Sequence, residues 1–272
     1  MLTVCMAIAV SCLCIVGVGF AADEDPLLEF GMSDRLYKTL RLSDLKAKLA
    51  VEQLDFMDPQ HGKQKRYDAF KLQDVLDLAF GDQWRLGDWT EVVFTALDGY
   101  QAVTGRDHML QPGGFLTFKD LDVEAGWEPI GRRKANPGPF YLVWTGVEQT
   151  TQHEFPWPWQ VVRISILRFQ ERFPLVYPAG AAANSTAFQG FQLFKGRCMR
   201  CHAMNGQGGK IGPDLNAPMS IVDYRSQNMI KAFIHQPSKY RHTHMPDHLD
   251  LTESDLDNLL DYFWYMSKRK HR

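Results

Sequence analysis

Apolar positions recur with a helical period early and late in the chain, and with a strand period in between. In KLQDVLDLAFG, Leu72, Val75, Leu76 and Ala79 fall at i, i+3, i+4 and i+7, which predicts a helix with one buried face. Ser43 ahead of Asp44-Leu45-Lys46 predicts a second helix start, with Ser43 as its cap. Further on the period falls to two. EVVFTALDGYQAV reads as two strands joined at Asp98-Gly99, a tight-turn dipeptide. GPFYLVW is a short apolar run opened by Pro139, and QVVRISILRF alternates Val162, Ile164 and Ile166 with Arg163 and Ser165. Helices followed by strands predict an α+β unit over residues 22–176. Its six tryptophans are expected in the core.

Helical spacing returns after residue 186. Thr186 with Gln189 forms a capping-box pattern ahead of AFQGFQLFKGRC, and SQNMIKAFIHQ is a second helix. Thr252 with Asp255 caps a third, in which Leu256, Leu259, Leu260 and Phe263 share a face. Its end, Lys268-Arg269-Lys270-His271-Arg272, places cations at the negative end of the helix dipole. Between the two units, YPAGAAANST at 177–186 is small, uncharged and rich in Pro, Gly and Ala, as expected of a tether. The chain thus divides into an α+β module and an all-α unit at 187–272.

Charge agrees with this division. Residues 22–179 carry 18 Lys and Arg against 24 Asp and Glu, and residues 180–272 carry 12 against 8. A net charge of -2 over 272 residues gives no basic excess for nucleic acid. The first 22 residues hold no charged side chain and reach Gly19-Phe20-Ala21, a small-x-small cleavage pattern, so residues 1–21 are expected to be an export signal and the mature chain periplasmic. Left uncleaved, about 20 apolar residues would anchor the chain in a membrane. Three of the five cysteines, Cys5, Cys12 and Cys14, fall in this segment, which leaves Cys198 and Cys201 in the mature chain.

Those two thiols sit in KGRCMRCH. The spacing C-x-x-C-H suits covalent attachment of haem c through Cys198 and Cys201, with His202 as an axial ligand to iron. A dithiol of thioredoxin type would follow a strand, whereas here a capped helix precedes the motif. Zinc could recruit His235, His242, His244 or His248, but the adjacent His202 then has no role. A plain disulfide explains least.

Around this motif the C-terminal residues resemble class I cytochrome c. The features are GFQLFKGRCMRCH, GPDL at 212–215, His244-Met245-Pro246 and a terminal aromatic helix. The resemblance implies Met245 as second axial ligand, Pro213 in the haem pocket with its carbonyl orienting the imidazole, and Gly190 where the first and last helices cross near Leu259, Tyr262 or Phe263. A thioether donor would favour ferrous iron, and six-coordinate iron would suit electron transfer. His242, His244 and His248 compete with Met245 by position.

Residues 45–172 resemble, in looser segments, the molybdopterin-binding domain of sulfite oxidase-type oxidoreductases: FMDPQHGKQKRYDAFKLQDVLDL, FTALDGY, GPFYLVW and WQVVRI. The family's metal takes a cysteine thiolate, and no cysteine lies between residues 22 and 197. The module is therefore expected to be a degenerate relative that binds no molybdopterin. His61, His108 and His153, the basic loop Arg132-Arg133-Lys134 and Gly113-Gly114 carry no motif, and are expected to be structural, solvated or a turn. The expected function is one-electron transfer to and from periplasmic redox proteins, with the first module as a docking unit and no catalytic residues. The alternative is a molybdenum-dependent dehydrogenase with a fused cytochrome acceptor.

Overall fold

The computed structural model describes residues 25–270, apart from residues 34, 125, 132, 133, 153 and 244. The export segment with Cys5, Cys12 and Cys14, together with Arg132, Arg133, His153, His244 and the final His271-Arg272, lies outside the described residues.

The α+β part runs β1 (Leu27–Met32), β2 (Arg35–Arg41), α1 (Leu42–Lys48), β3 (Glu52–Asp58), β4 (Lys63–Lys71), α2 (Leu72–Phe80), α3 (Gln83–Leu86), β5 (Glu91–Ala96) and β6 (Gln101–Gly105). It continues through α4 (Arg106–Met109), β7 (Gly114–Asp120), β8 (Tyr141–Trp144), β9 (Val161–Leu167) and α5 (Phe169–Arg172). Two sheets form. One has the order β2-β1-β9-β5-β6, with β1 parallel to β9 and its other neighbours antiparallel. The other is antiparallel in the order β3-β4-β7-β8. Phe30, Phe94 and Ile164 of the first sheet share a core with Tyr67, Phe70 and Leu142 of the second and with Val75 and Leu76 of α2. Trp84, Trp89, Trp144 and Trp157 are buried in it, as expected for core aromatics.

Within this core Lys65 is fully buried, with its ammonium 2.8 Å from Asp120 and 3.0 Å from Glu128. Burial pulls the Lys65 pKa down, but the hydrogen bonds to Asp120 and Glu128 more than offset it and leave it raised. Asp58, also fully buried, accepts from the hydroxyls of Tyr67 at 2.9 Å and Tyr141 at 3.3 Å. No sequence signal marks these partners, because each ion finds its counterpart on another strand.

The helical part runs α6 (Thr186–Leu193), a π turn at Phe194–Cys198, the two-residue strands β10 (Ala203–Met204) and β11 (Gln207–Gly208), α7 (Ile221–Tyr224), α8 (Gln227–His235), a 3-10 turn at Pro237–Lys239 and α9 (Glu253–Ser267). Helices α6 and α9 cross at Gly190. A Cβ there would overlap the Asn258 backbone carbonyl and stand 2.9 Å from Tyr262 Cβ, so only glycine lets the backbones approach so closely. The capping box of Thr252 and Asp255 is present.

Three local expectations shift. Ser185, not Thr186, caps α6 by accepting from the Phe188 amide at 3.2 Å. The α1 helix starts at Leu42, before Ser43, whose hydroxyl and amide are held by the Asp25 carboxylate. Strand β9 is expected to expose one face, yet Ser165 and Leu167 are buried along with Ile164 and Ile166. The reason is a second core. Val93 of β5, Val103 of β6 and Leu167 of β9 pack together with Phe169, Phe173, Val176, Phe191, Phe194, Met199 and the apolar face of α9. The far face of the five-stranded sheet is thus the floor of the helical part.

Residues 177–186, expected as a tether, are mostly exposed, and the chain is held to α9 at Val176, just before them, and at Ala179. The hydroxyls of Tyr262 and Tyr265 donate to the carbonyls of Val176 at 2.7 Å and Ala179 at 2.8 Å. Small uncharged residues here permit close seating as well as flexibility. No helix among the described residues is long and apolar enough to cross a membrane.

Two outcomes follow. Gly190→Ala must push α6 from α9, so it should cost about 3 kcal/mol of stability by chemical denaturation. The Glu128 carboxyl, held at about 2 by Lys63 and Lys65, has a folded pKa below its unfolded value near 4.5. Its contribution is therefore full above that unfolded value and lost as pH falls through 2. Because Glu128 is about a third exposed, the wild type should lose about 1 kcal/mol across that window which Glu128→Gln does not lose.

Candidate functional site

The α6 helix does not stop where its capped segment ends. It widens into the π turn, and the Met199 amide donates to the Phe194 carbonyl, five residues back, at 2.8 Å. The chain then folds back, with the amides of Cys201 and His202 both donating to the Cys198 carbonyl, at 3.0 and 2.9 Å. Met199, between the cysteines, is fully buried and anchors the turn to the second core. Cys198, Cys201 and His202 therefore stand on one short turn.

The next residues brace it. Asn205-Gly206 makes a two-residue hairpin between β10 and β11, both at positive φ (54° and 81°), the dipeptide suited to that turn. Gly209 donates to the Met199 carbonyl at 2.8 Å, and Gly212 donates to the Cys201 carbonyl at 2.7 Å. Asp214 accepts from the amides of Gly206, Asn216 and Ala217, and buried Asn216 ties the loop to the Met266 carbonyl at 2.8 Å.

His202 is held on two sides. Its Nδ1 lies 2.8 Å from the Pro213 carbonyl, which can only accept, so Nδ1 carries the proton and Nε2 keeps its lone pair. A Cβ on Gly212 would meet the ring at 2.5 Å, so glycine lets the backbone lie flat against the imidazole. Burial lowers the His202 pKa against the pull of the Pro213 carbonyl, which favours the neutral ligating form.

Both cysteines are free thiols, half-buried. Burial pushes the Cys198 thiol up to about 12 and raises that of Cys201. Such thiols are protonated at neutral pH and poor spontaneous nucleophiles, unlike those of a dithiol redox site. Arg197 Nε and Arg200 Nε, next to the cysteines in sequence, are buried without a hydrogen-bond acceptor among the described residues.

Met245 is half-buried against the second core, its amide bonded to Thr243 Oγ1 at 3.2 Å. Of the competing imidazoles, His242 is exposed and His248 half-buried, its amide donating to the His235 carbonyl at 3.0 Å. Among the described residues no three His, Cys, Asp or Glu gather as a metal cluster, which disfavours a zinc site of Cys198 and Cys201 with His235, His242 or His248. Nor do His61 and His108 join such a group: His61 follows β3, and His108 packs at a tilt against Phe155 with centroids 4.9 Å apart. Two surface clefts of roughly 400 Å³ beside α6 are lined by neither cysteine nor by His202.

The donor set fits covalent haem: two unpaired thiols, an imidazole presenting Nε2 and a half-buried thioether. It does not fit molybdenum in the first module, since residues 22–197 offer no thiolate.

Comparison with known proteins agrees on the first point. Residues 187–267 match the family model for cytochrome c. The match supports covalently bound haem c and haem-based electron transfer in this part of the chain, and does not extend to the α+β part. No curated protein matches the chain.

Gly212→Ala should displace the His202 ring. The expected result is a several-fold fall in covalent haem per chain by pyridine haemochrome, with secondary structure retained by circular dichroism.

Proposed function

We propose that the chain is an exported, periplasmic one-electron carrier with a single haem c, held by Cys198 and Cys201 and ligated by His202 and Met245. The observation that carries this reading is the His202–Pro213 hydrogen bond beside the free thiol pair, which leaves Nε2 as the donor. Haem bound there supplies a one-electron iron couple.

The chain's own residues do the rest. Pro213 fixes the tautomer and angle of His202, and Gly212 gives its ring room. Met245 offers a soft donor from the opposite loop, which favours the ferrous state. The second core, with Phe191, Phe194, Tyr262 and Phe263, shields the site from water. Basic residues in excess over acidic ones beyond residue 180 favour encounter with acidic partners.

The first module is read as a degenerate relative of the sulfite oxidase-type molybdopterin domain, used to dock a redox partner. The missing thiolate supports that reading over a molybdenum-dependent dehydrogenase.

Metal analysis of full-length protein made in a bacterial periplasm separates the two. One iron per chain without molybdenum is expected, and stoichiometric molybdenum would favour the dehydrogenase. The oxidised protein should show the weak methionine–iron band at the red end of its visible spectrum. Met245→Ala should abolish this band and open the iron to carbon monoxide. A wild type that lacks the band and already binds carbon monoxide would remove Met245 as ligand. If the band is missing and His248→Ala changes the spectrum, His248 takes its place.

A further inference from the structure

The turn that carries the cysteines is not free on its outer side. The β5–β6 hairpin, whose bend is Asp98-Gly99-Tyr100, comes across from the first module and grips it. Arg200, the second spacer residue between Cys198 and Cys201, donates to the Tyr100 hydroxyl at 3.3 Å and to the Gln152 carbonyl at 3.5 Å. It also caps the Gly196 carbonyl on its own turn. In return the Gln101 amide donates to the Arg200 carbonyl at 3.4 Å. Tyr100 is half-buried at this contact, and burial raises its phenol against the pull of Arg200.

A second grip lies one turn back. Lys195 in the π turn pairs with Glu91 of β5 at 2.8 Å, with their side chains only 20% and 9% exposed. The Lys195 ammonium also stands 5.4 Å from the Phe169 ring centroid and 5.9 Å from that of Phe191. Beneath both grips Val93, Val103 and Leu167 join the helical core. Two polar grips and a common apolar floor hold the modules as one piece, which a flexible tether would not require.

We propose that Tyr100 is a positioning residue for the redox site: through Arg200 it holds the Cys198–His202 turn, and with its hairpin it forms a fixed wall that keeps water from the Cys201 end. This rests on the reading of the turn as a haem c site. Oxidised iron carries one more positive charge than reduced iron, so water at the site favours the oxidised form and a wall against water raises the potential. The first module is then a structural part of the redox centre as well as a docking unit, and electrons must enter and leave away from the Tyr100 hairpin.

Full-length protein loaded with haem provides the test. Tyr100→Ala should move the equilibrium with a one-electron mediator at least threefold toward the oxidised protein, about 28 mV at 59 mV per decade. Tyr100→Phe, which keeps the ring, should move it less. A potential unchanged within 1.5-fold in Tyr100→Ala, with native circular dichroism, would overturn the proposal.

Should Tyr100→Ala fail to fold, the wild type still decides. The Gln101 amide donates across to the Arg200 carbonyl, so slow hydrogen exchange there supports a fixed wall and fast exchange rules it out. A wild type without covalent haem bands defeats the underlying reading as well. Bands present with a potential indifferent to Tyr100 defeat the wall alone.

Discussion

The β9-β5-β6 part of the five-stranded sheet has apolar residues buried on both faces, and the rest of the structure depends on this. Along β5, Val92 and Phe94 point into the core of the first module while Val93 points into the helical core. Along β9, Ile164 and Ile166 serve one side and Leu167 the other. A strand has two faces by geometry, and leaving the second wet would expose apolar residues that here cover α6 and the π turn. One sheet thus stabilises two cores, and the position of the cysteine-bearing turn follows from the position of the sheet.

Within the helical part, the site is built by backbone more than by side chains. Gly190 lets α6 reach α9, the π turn lengthens α6 just enough to present Cys198, and the loop 205–217 folds back to hand the Pro213 carbonyl to His202. Asp214 holds that loop by accepting from its amides, and buried Asn216 ties it to the Met266 carbonyl of α9. The imidazole is therefore oriented before any ligand arrives, and little freedom remains to be lost on binding.

The sequence was most readable where structure is local. The α2 face, the β5–β6 hairpin at Asp98-Gly99, the Thr252–Asp255 capping box and the Cys198–His202 motif were all visible, because each is set by residues within a few positions of one another. The cap of α6 was missed by one residue, since Ser185 and Thr186 are both acceptors and only the path of the preceding chain selects between them. The buried Lys65 could not be foreseen. Nothing about KQKRY distinguishes it from a solvated strand until Asp120 and Glu128 arrive from distant segments.

By itself the sequence determined the chemistry: two thiols and an imidazole at a fixed spacing, a methionine further on, and a first module without a thiolate. These follow from residue type and local spacing, which no fold alters. Tertiary structure decided how that chemistry is housed. Ala179 is held by Tyr265 of α9, and Arg200 is drawn to Tyr100. The second face of β9 is dry because the helical part lies on it. Each of these depends on which surfaces meet, and apolar burial is indifferent to distance along the chain, so no local pattern could announce it.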